Sequence, residues 1–175
     1  PSDKIGLTTS AGYTQENGDF NNVLNVATRV ASGQSNVDQG SALSAQQFRN
    51  KFQNQGIFIQ EEASINDAIN LTAGVRFDRS TNNGDPEKFY VYPKAGVSFN
   101  LTRMGIMSDG FFDNLKLRAA YGQSANFPVF GSKFTTFVAS NIGGLQGYLV
   151  NVQGGDPEIE PERQTEFEAG VDFSV

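Results

Sequence analysis

The chain of 175 residues contains no cysteine and no histidine. The first absence excludes disulfides, thiolate metal sites and a cysteine nucleophile. The second removes the Ser-His-Asp triad and, with the first, any Cys-His pair. No apolar run approaches the roughly 18 residues that a membrane-spanning helix needs. Hydrophobic residues make up 38% of the chain, and the 19 glycines bring the apolar total near that of ordinary domains. Basic residues are few and scattered, and the net charge of -6 argues against a nucleic-acid partner, which needs a basic patch to neutralise phosphates. The lack of cysteine fits a protein folded outside the cytosol, and equally fits many cytosolic ones. No cofactor motif is present: Gly131-Ser132-Lys133 lacks the upstream glycine spacing of a phosphate loop, and Gly143-Gly144-Leu145-Gln146-Gly147 has no strand–helix context.

What the chain has is a two-residue alternation. Leu71, Ala73, Val75 and Phe77 alternate with Asn70, Thr72, Gly74, Arg76 and Asp78. Leu115, Leu117, Ala119 and Tyr121 alternate with Lys116, Arg118, Ala120 and Gly122. Near the end, Thr165, Phe167, Ala169, Val171 and Phe173 alternate with Glu166, Glu168, Gly170, Asp172 and Ser174. Successive side chains of a strand point to opposite faces, so each stretch is a strand with one apolar and one polar surface. A barrel wall in a membrane needs only alternate residues to meet lipid, which reconciles the negative mean hydropathy with a membrane location.

Seven strands are expected: Lys4–Tyr13, Phe20–Arg29, Gly56–Ser64, Ala68–Arg79, Phe89–Leu101, Leu115–Gln123 and Gln164–Ser174. Asn17-Gly18, within Glu16–Asp19, reads as a hairpin turn, and Asn66-Asp67 as a second. With Ala68–Arg79 drawn upward, the upper connections are Ala31–Gln53, Thr81–Lys88 and Ser124–Pro161; the lower ones are Glu16–Asp19, Asn66–Asp67 and Thr102–Asn114. Long loops alternating with shorter turns are the pattern of outer-membrane barrels. Aromatics sort by height in this scheme, with Phe77, Tyr90, Tyr92, Tyr121 and Phe167 high and Tyr13, Phe20, Phe99 and Phe173 low. Two such bands fit interfacial girdles, and also the plain preference of aromatics for strands. The expected fold is therefore all-β, an antiparallel transmembrane barrel segment with long extracellular loops. Pro1-Ser2-Asp3-Lys4 leads directly into a strand without a signal peptide, and Val175 follows a strand with no closing element. The whole of residues 1–175 reads as part of a larger barrel.

Two stretches carry a family resemblance. Asn114-Leu-Lys-Leu-Arg-Ala-Ala-Tyr-Gly-Gln-Ser-Ala-Asn126 resembles a strand of the SusC/RagA-type TonB-dependent receptors that precedes a long outer loop. Pro161-Glu-Arg-Gln-Thr-Glu-Phe-Glu-Ala-Gly-Val-Asp-Phe173, led in by Asp156-Pro-Glu-Ile-Glu, resembles the strand that follows. Tyr92-Pro93-Lys94 and Ala73–Asp78 add weaker likeness, and the resemblance runs from about Gly56 to Val175. Such receptors combine an N-terminal plug with a barrel of about 22 strands. The resemblance implies a bacterial outer-membrane importer of glycans or peptides, in contact with lipid, driven by the TonB complex through the plug and partnered by a SusD-like surface lipoprotein. This chain would supply wall, lumen lining and outer loops, without the plug or the closing strand.

In that frame Arg76, Asp78, Lys116, Arg118, Glu166, Glu168 and Asp172 line the lumen; on a soluble sheet they are an ordinary solvated face. Tyr90, Tyr92, Phe127, Phe130, Phe134, Phe137 and Tyr148 are candidate substrate contacts near the outer mouth, or packing between loops. Asp156, Glu158, Glu160 and Glu162 fall on one face of an extended stretch, as either a hard-cation site or a solvated loop. Asn82-Asn83-Gly84-Asp85 has the composition of a calcium loop without its twelve-residue pattern, and turn chemistry accounts for it. The competing functional class is a non-transport surface β-protein, an adhesin or carbohydrate-binding module, which a sealed soluble core would favour. An enzyme is a poor third reading, because no residue set for bond-making chemistry is present.

Overall fold

The computed structural model describes residues 4–107 and 111–175. The opening Pro1–Asp3 and three residues of the expected Thr102–Asn114 connection (108–110) lie outside the described residues. Eight strands are present: β1 (Ile5–Val30), β2 (Gly40–Ile65), β3 (Ile69–Ser80), β4 (Tyr90–Asn100), β5 (Asn114–Asn126), β6 (Phe137–Ile142), β7 (Leu145–Val150) and β8 (Glu162–Ser174). Six form one antiparallel sheet in the order β1-β2-β3-β4-β5-β8, and β6 and β7 form a separate hairpin.

Register decides which residues share a face. Ile59 pairs with Ala11 and Val75, Ala73 with Ala95, Ala95 with Tyr121, and Tyr121 with Phe167. Each ladder joins odd residues to odd and even to even, so the alternation of every strand adds to that of its neighbours. The odd face carries Ile5, Leu7, Ile57, Ile59, Leu71, Val75, Val97, Leu117, Val171 and Phe173. The even face carries Arg76, Asp78, Lys94, Lys116, Arg118, Glu166, Glu168 and Asp172. The odd face is uncovered: Leu7 is 68% and Phe167 72% exposed. Among the described residues the buried apolar side chains are only Ala68, Tyr90 and Tyr92. A sheet with this much apolar surface and so little core cannot be satisfied by water. Among the described residues there is no sealed core of the kind that would favour the surface-module reading.

Two expectations are corrected. Asn17-Gly18 does not turn: Asn17 pairs with Gln53 and Gly18 with Phe52 inside one 26-residue strand. A two-residue primed turn needs positive φ at its central residues, and neither position has it. Here the Phe52 ring lies over Gly18, where a Cβ would overlap it, so the missing side chain serves packing rather than turning. The chain reverses further on, beside Arg29 (φ 56°) and Gly33 (φ 81°). Residues 40–53, expected within an outer loop, are strand. Asn66-Asp67 does turn, with φ of 52° and 55°, and Gly143-Gly144 closes β6 onto β7 with φ of 60° and 88°. With β3 upward, the upper connections are 31–39, 81–89 and 127–161 and the lower ones 66–68 and 101–113, so the alternation survives with the first loop rebuilt as strand.

The rebuilt ribbon changes the aromatic bands. Tyr13 pairs with Ile57, which pairs with Phe77, so Tyr13 stands high; Phe20 stands higher still, beyond the last β2–β3 pair at Asn54 and Ser80. Tyr90 and Tyr92 pair with Asp78 and Arg76 and belong to the polar face, outside any lipid-side girdle. Above Tyr13 and Ile57 the ribbon inverts its polarity. Odd positions become Gln15, Asn17, Asp19, Lys51, Gln53 and Gln55, while even positions become Phe20, Leu24, Val26, Phe48 and Phe52.

The two faces predict opposite outcomes for one substitution each. Val75→Arg puts a cation in the apolar band at about 2–4 kcal/mol, whereas Arg76→Val adds an apolar group to the other face. Membrane assembly, read as heat-modifiable migration of the intact barrel, should fail for Val75→Arg and persist for Arg76→Val.

Candidate functional site

The polar face is built from long side chains laid across glycines. Every glycine paired within the six-stranded sheet falls at an even position: Gly6, Gly12, Gly18, Gly40, Gly56, Gly74, Gly96, Gly122 and Gly170. Phe58 covers Gly12, and Lys94 rests against Gly74, with Cε 3.0 Å from where a Cβ would stand. Arg118 lies over Gly170, its Nε 2.8 Å from that position, and reaches Asp172 at 3.6 Å. Arg76 is held most firmly: its Nε donates to both Asp78 oxygens at 2.7–2.8 Å and its Nη2 to Thr14 Oγ1 at 3.1 Å. A Cβ at Gly56 would overlap all three groups. Glycine in a strand marks close approach by a neighbour, and here the neighbour is a side chain lying flat along the wall.

Of the expected lumen residues, the sheet brings Arg76 to Asp78 and Arg118 to Asp172. Lys116 stands opposite Asp172 in the ladder. Glu166 and Glu168, with Lys94, which sequence reasoning missed, form no ion pair among the described residues. Sequence reasoning also missed Glu61, the one charge in the apolar band below Phe77; it accepts a hydrogen bond from Thr9 Oγ1 at 2.5 Å.

The candidate aromatics do not gather into one platform. Tyr90 and Tyr92 are buried at the top of β4, beneath Lys88 (4.9 Å to the ring centroid) and Arg163 (5.6 Å) respectively. Phe127 and Phe130 are half-buried in the long upper connection. Phe134 is exposed, with Lys133 5.4 Å from its ring. Phe137 and Tyr148 share one exposed face of the β6–β7 hairpin.

The loop carboxylates do not converge on a cation. Asp156 Oδ1 accepts from the Glu158 amide at 2.9 Å, Glu160 binds Lys88 Nζ at 2.5 Å, and Glu162 opens β8. No metal-holding cluster of acidic side chains occurs among the described residues. What these residues do is fasten two loops together. Lys133 Nζ donates to the carbonyls of Thr81 (2.8 Å) and Asn83 (3.0 Å), and the Gly84 amide donates to Ile159 O at 2.8 Å. Gly84 passes so close to Pro157 that a Cβ would overlap its carbonyl oxygen.

The family model described as TonB dependent receptor-like, beta-barrel, matches residues 2–175. The chain belongs to that family. Its fold is that of the barrel wall in solved members. One structure of the RagAB peptide importer, in a "closed-closed" state, shares 15% identity at a TM-score of 0.70, over 98% of this chain and 19% of that one. A second, of the RagAB peptide transporter, shares 16% at 0.71, over 97% and 19%. A third, in an "open-open" state, shares 15% at 0.66, over 95% and 22%. The chain thus spans about a fifth of the length of these relatives. No curated protein matches it. The antiparallel transmembrane barrel segment and the SusC/RagA-type resemblance read from the sequence agree with both comparisons.

Two predictions follow from the receptor's local geometry. Gly56→Val must displace Arg76, Asp78 or Thr14 and should destabilise the barrel by about 1–3 kcal/mol in denaturant titration. Gly96→Val, with no neighbour closer than 3.9 Å, should be tolerated. The Lys88–Glu160 bond holds the Glu160 carboxyl below its ordinary value of 4.5, chiefly through the hydrogen bond from Lys88, and the same bond raises Lys88 above 10.5. A depressed carboxylate stabilises above its unfolded value and loses that stabilisation as pH falls through the lowered one; the raised lysine loses it as pH climbs past 10.5. Amide protection in residues 81–89, after correction for the intrinsic pH dependence of exchange, should therefore be constant between these limits and fall in acid, and Glu160→Gln should remove the acid transition.

Proposed function

We propose that the chain is a section of the barrel of an outer-membrane, TonB-dependent importer of polar nutrients, glycans or peptides. The observation that carries this reading is the two-faced sheet, apolar and uncovered on its odd side and charged on its even side, in a chain of the receptor family. The odd face meets lipid and the even face lines the lumen. An open sheet edge in lipid leaves backbone groups unpaired at several kcal/mol each, so transport belongs to the closed barrel of the intact receptor. Its energy comes from the TonB complex acting on a plug that blocks the lumen.

The RagAB structures are of a two-component importer in open and closed states. By analogy the upper loops here face a SusD-like surface lipoprotein. The fastening of loop 81–89 to Lys133, Ile159 and Glu160 supports that role, because a partner that opens and closes needs a firm seat. No bond-making chemistry is assigned to any residue.

Uptake of labelled oligosaccharides and oligopeptides by cells carrying the intact receptor tests the reading. At least one class should accumulate, and accumulation should cease when TonB is deleted. Uptake that persists without TonB contradicts it.

A further inference from the structure

On the polar face, between β4 and β8, the sheet has a floor of Gly122 and Ala120 and walls of opposite charge. Lys94 pairs with Gly122, and Gly122 with Glu166; one row below, Gly96 pairs with Ala120, and Ala120 with Glu168. The backbones of β4 and β8 stand about 10 Å apart across β5. Nothing lies within 4 Å of where a Gly122 Cβ would be. Lys94 rests on Gly74, on the far side from β5, so its stem leaves this floor open. The resulting cavity, of about 290 Å³, is lined by Lys94, Ala120, Gly122, Ser124, Glu166 and Glu168.

Elsewhere on this face Arg76 binds Asp78 and Arg118 binds Asp172, while Lys116 stands opposite Asp172 in the ladder without an ion pair of its own among the described residues. Lys94, Glu166 and Glu168 form no ion pair among the described residues. Above the floor lies a second hollow, of about 300 Å³, that shares Lys94 and adds Arg76 and Tyr92. Tyr92 is 4% exposed, and among the described residues its buried hydroxyl has no hydrogen-bond partner. Buried polar atoms are ordinarily satisfied, so this hydroxyl marks a place where a polar group is missing.

We propose that this slot binds a zwitterionic ligand the size of a short peptide. Its carboxylate is taken by Lys94 beneath the Tyr92 hydroxyl, and its ammonium by Glu166 and Glu168. A neutral glycan would leave both walls unpaired. The assignment rests on the even face being the lumen, and it chooses peptides over glycans as the cargo of that lumen.

The test is calorimetric binding of trialanine to the purified intact receptor, with N-acetylated, C-amidated trialanine and maltotriose as comparison probes. Lys94→Met and Glu166→Gln should each weaken trialanine about tenfold or more, the loss expected for one charge-assisted contact. Gly122→Leu has room to fold and fills the floor, so it should abolish trialanine binding while heat-modifiable migration stays normal. The blocked peptide and maltotriose should bind weakly and respond to none of the three. Unchanged trialanine affinity in the variants overturns the slot, as does its absence in the wild type or a preference for either uncharged probe. If TonB-dependent uptake is intact in that case, the slot alone fails and the importer reading stands.

Discussion

The constraint on which this wall depends is that one register parity holds across every ladder of the sheet. Backbone groups in a bilayer have no water to bond, so each strand must pair along its whole membrane-crossing length. Pairing alone would allow any register. A shift of one residue in a single ladder would turn that strand's charges into lipid and its aliphatic groups into the lumen. In the five ladders from β1 to β8 every pair joins residues of equal parity. On the proposed orientation, the cost of a misplaced charge in lipid at each of the charged even positions is what makes the register unique.

The inner surface follows from that register. Long cationic and aromatic side chains on even positions would fill the lumen if they stood upright. Glycines on the same face let them lie along the wall, with Phe58 over Gly12, Arg76 over Gly56 and Arg118 over Gly170. The glycine content, which lowers strand propensity, is thereby a property of the even face. Among the described residues the odd face has no paired glycine, as expected of a face that meets the bilayer under the proposed orientation, where each side chain lost would remove apolar contact.

Much of this was legible in the sequence, because a period of two is a local signal. The strands around Leu71–Asp78, Leu115–Gly122 and Thr165–Ser174 lie where alternation puts them, and Asn66-Asp67 turns as its composition indicates. The errors lie where local and distant preferences compete. Asn17-Gly18 has strong turn chemistry, yet the ladder to residues 52 and 53 overrides it, and nothing within a short window reveals a partner that far along the chain. Residues 40–53 read as loop because their polarity is inverted above the membrane, where an outward face of Arg49, Lys51 and Gln53 is correct for water. In the site, Arg76 and Asp78 announce themselves by charge on an alternating strand. The roles of Gly56, Gly122 and Lys133 depend on what lies across from them, which register alone supplies.

The most direct test of the two-faced wall uses the absence of cysteine from these 175 residues, with any cysteine elsewhere in the receptor replaced. Single cysteines at positions 73, 74, 75, 76, 117 and 118 of the intact receptor, labelled with an environment-sensitive fluorophore, report which medium each side chain meets. The account predicts that labels at 73, 75 and 117 are quenched by brominated lipid and shielded from aqueous iodide, with the reverse at 74, 76 and 118. Quenching that does not alternate with parity, or alternates in the opposite sense, would contradict it.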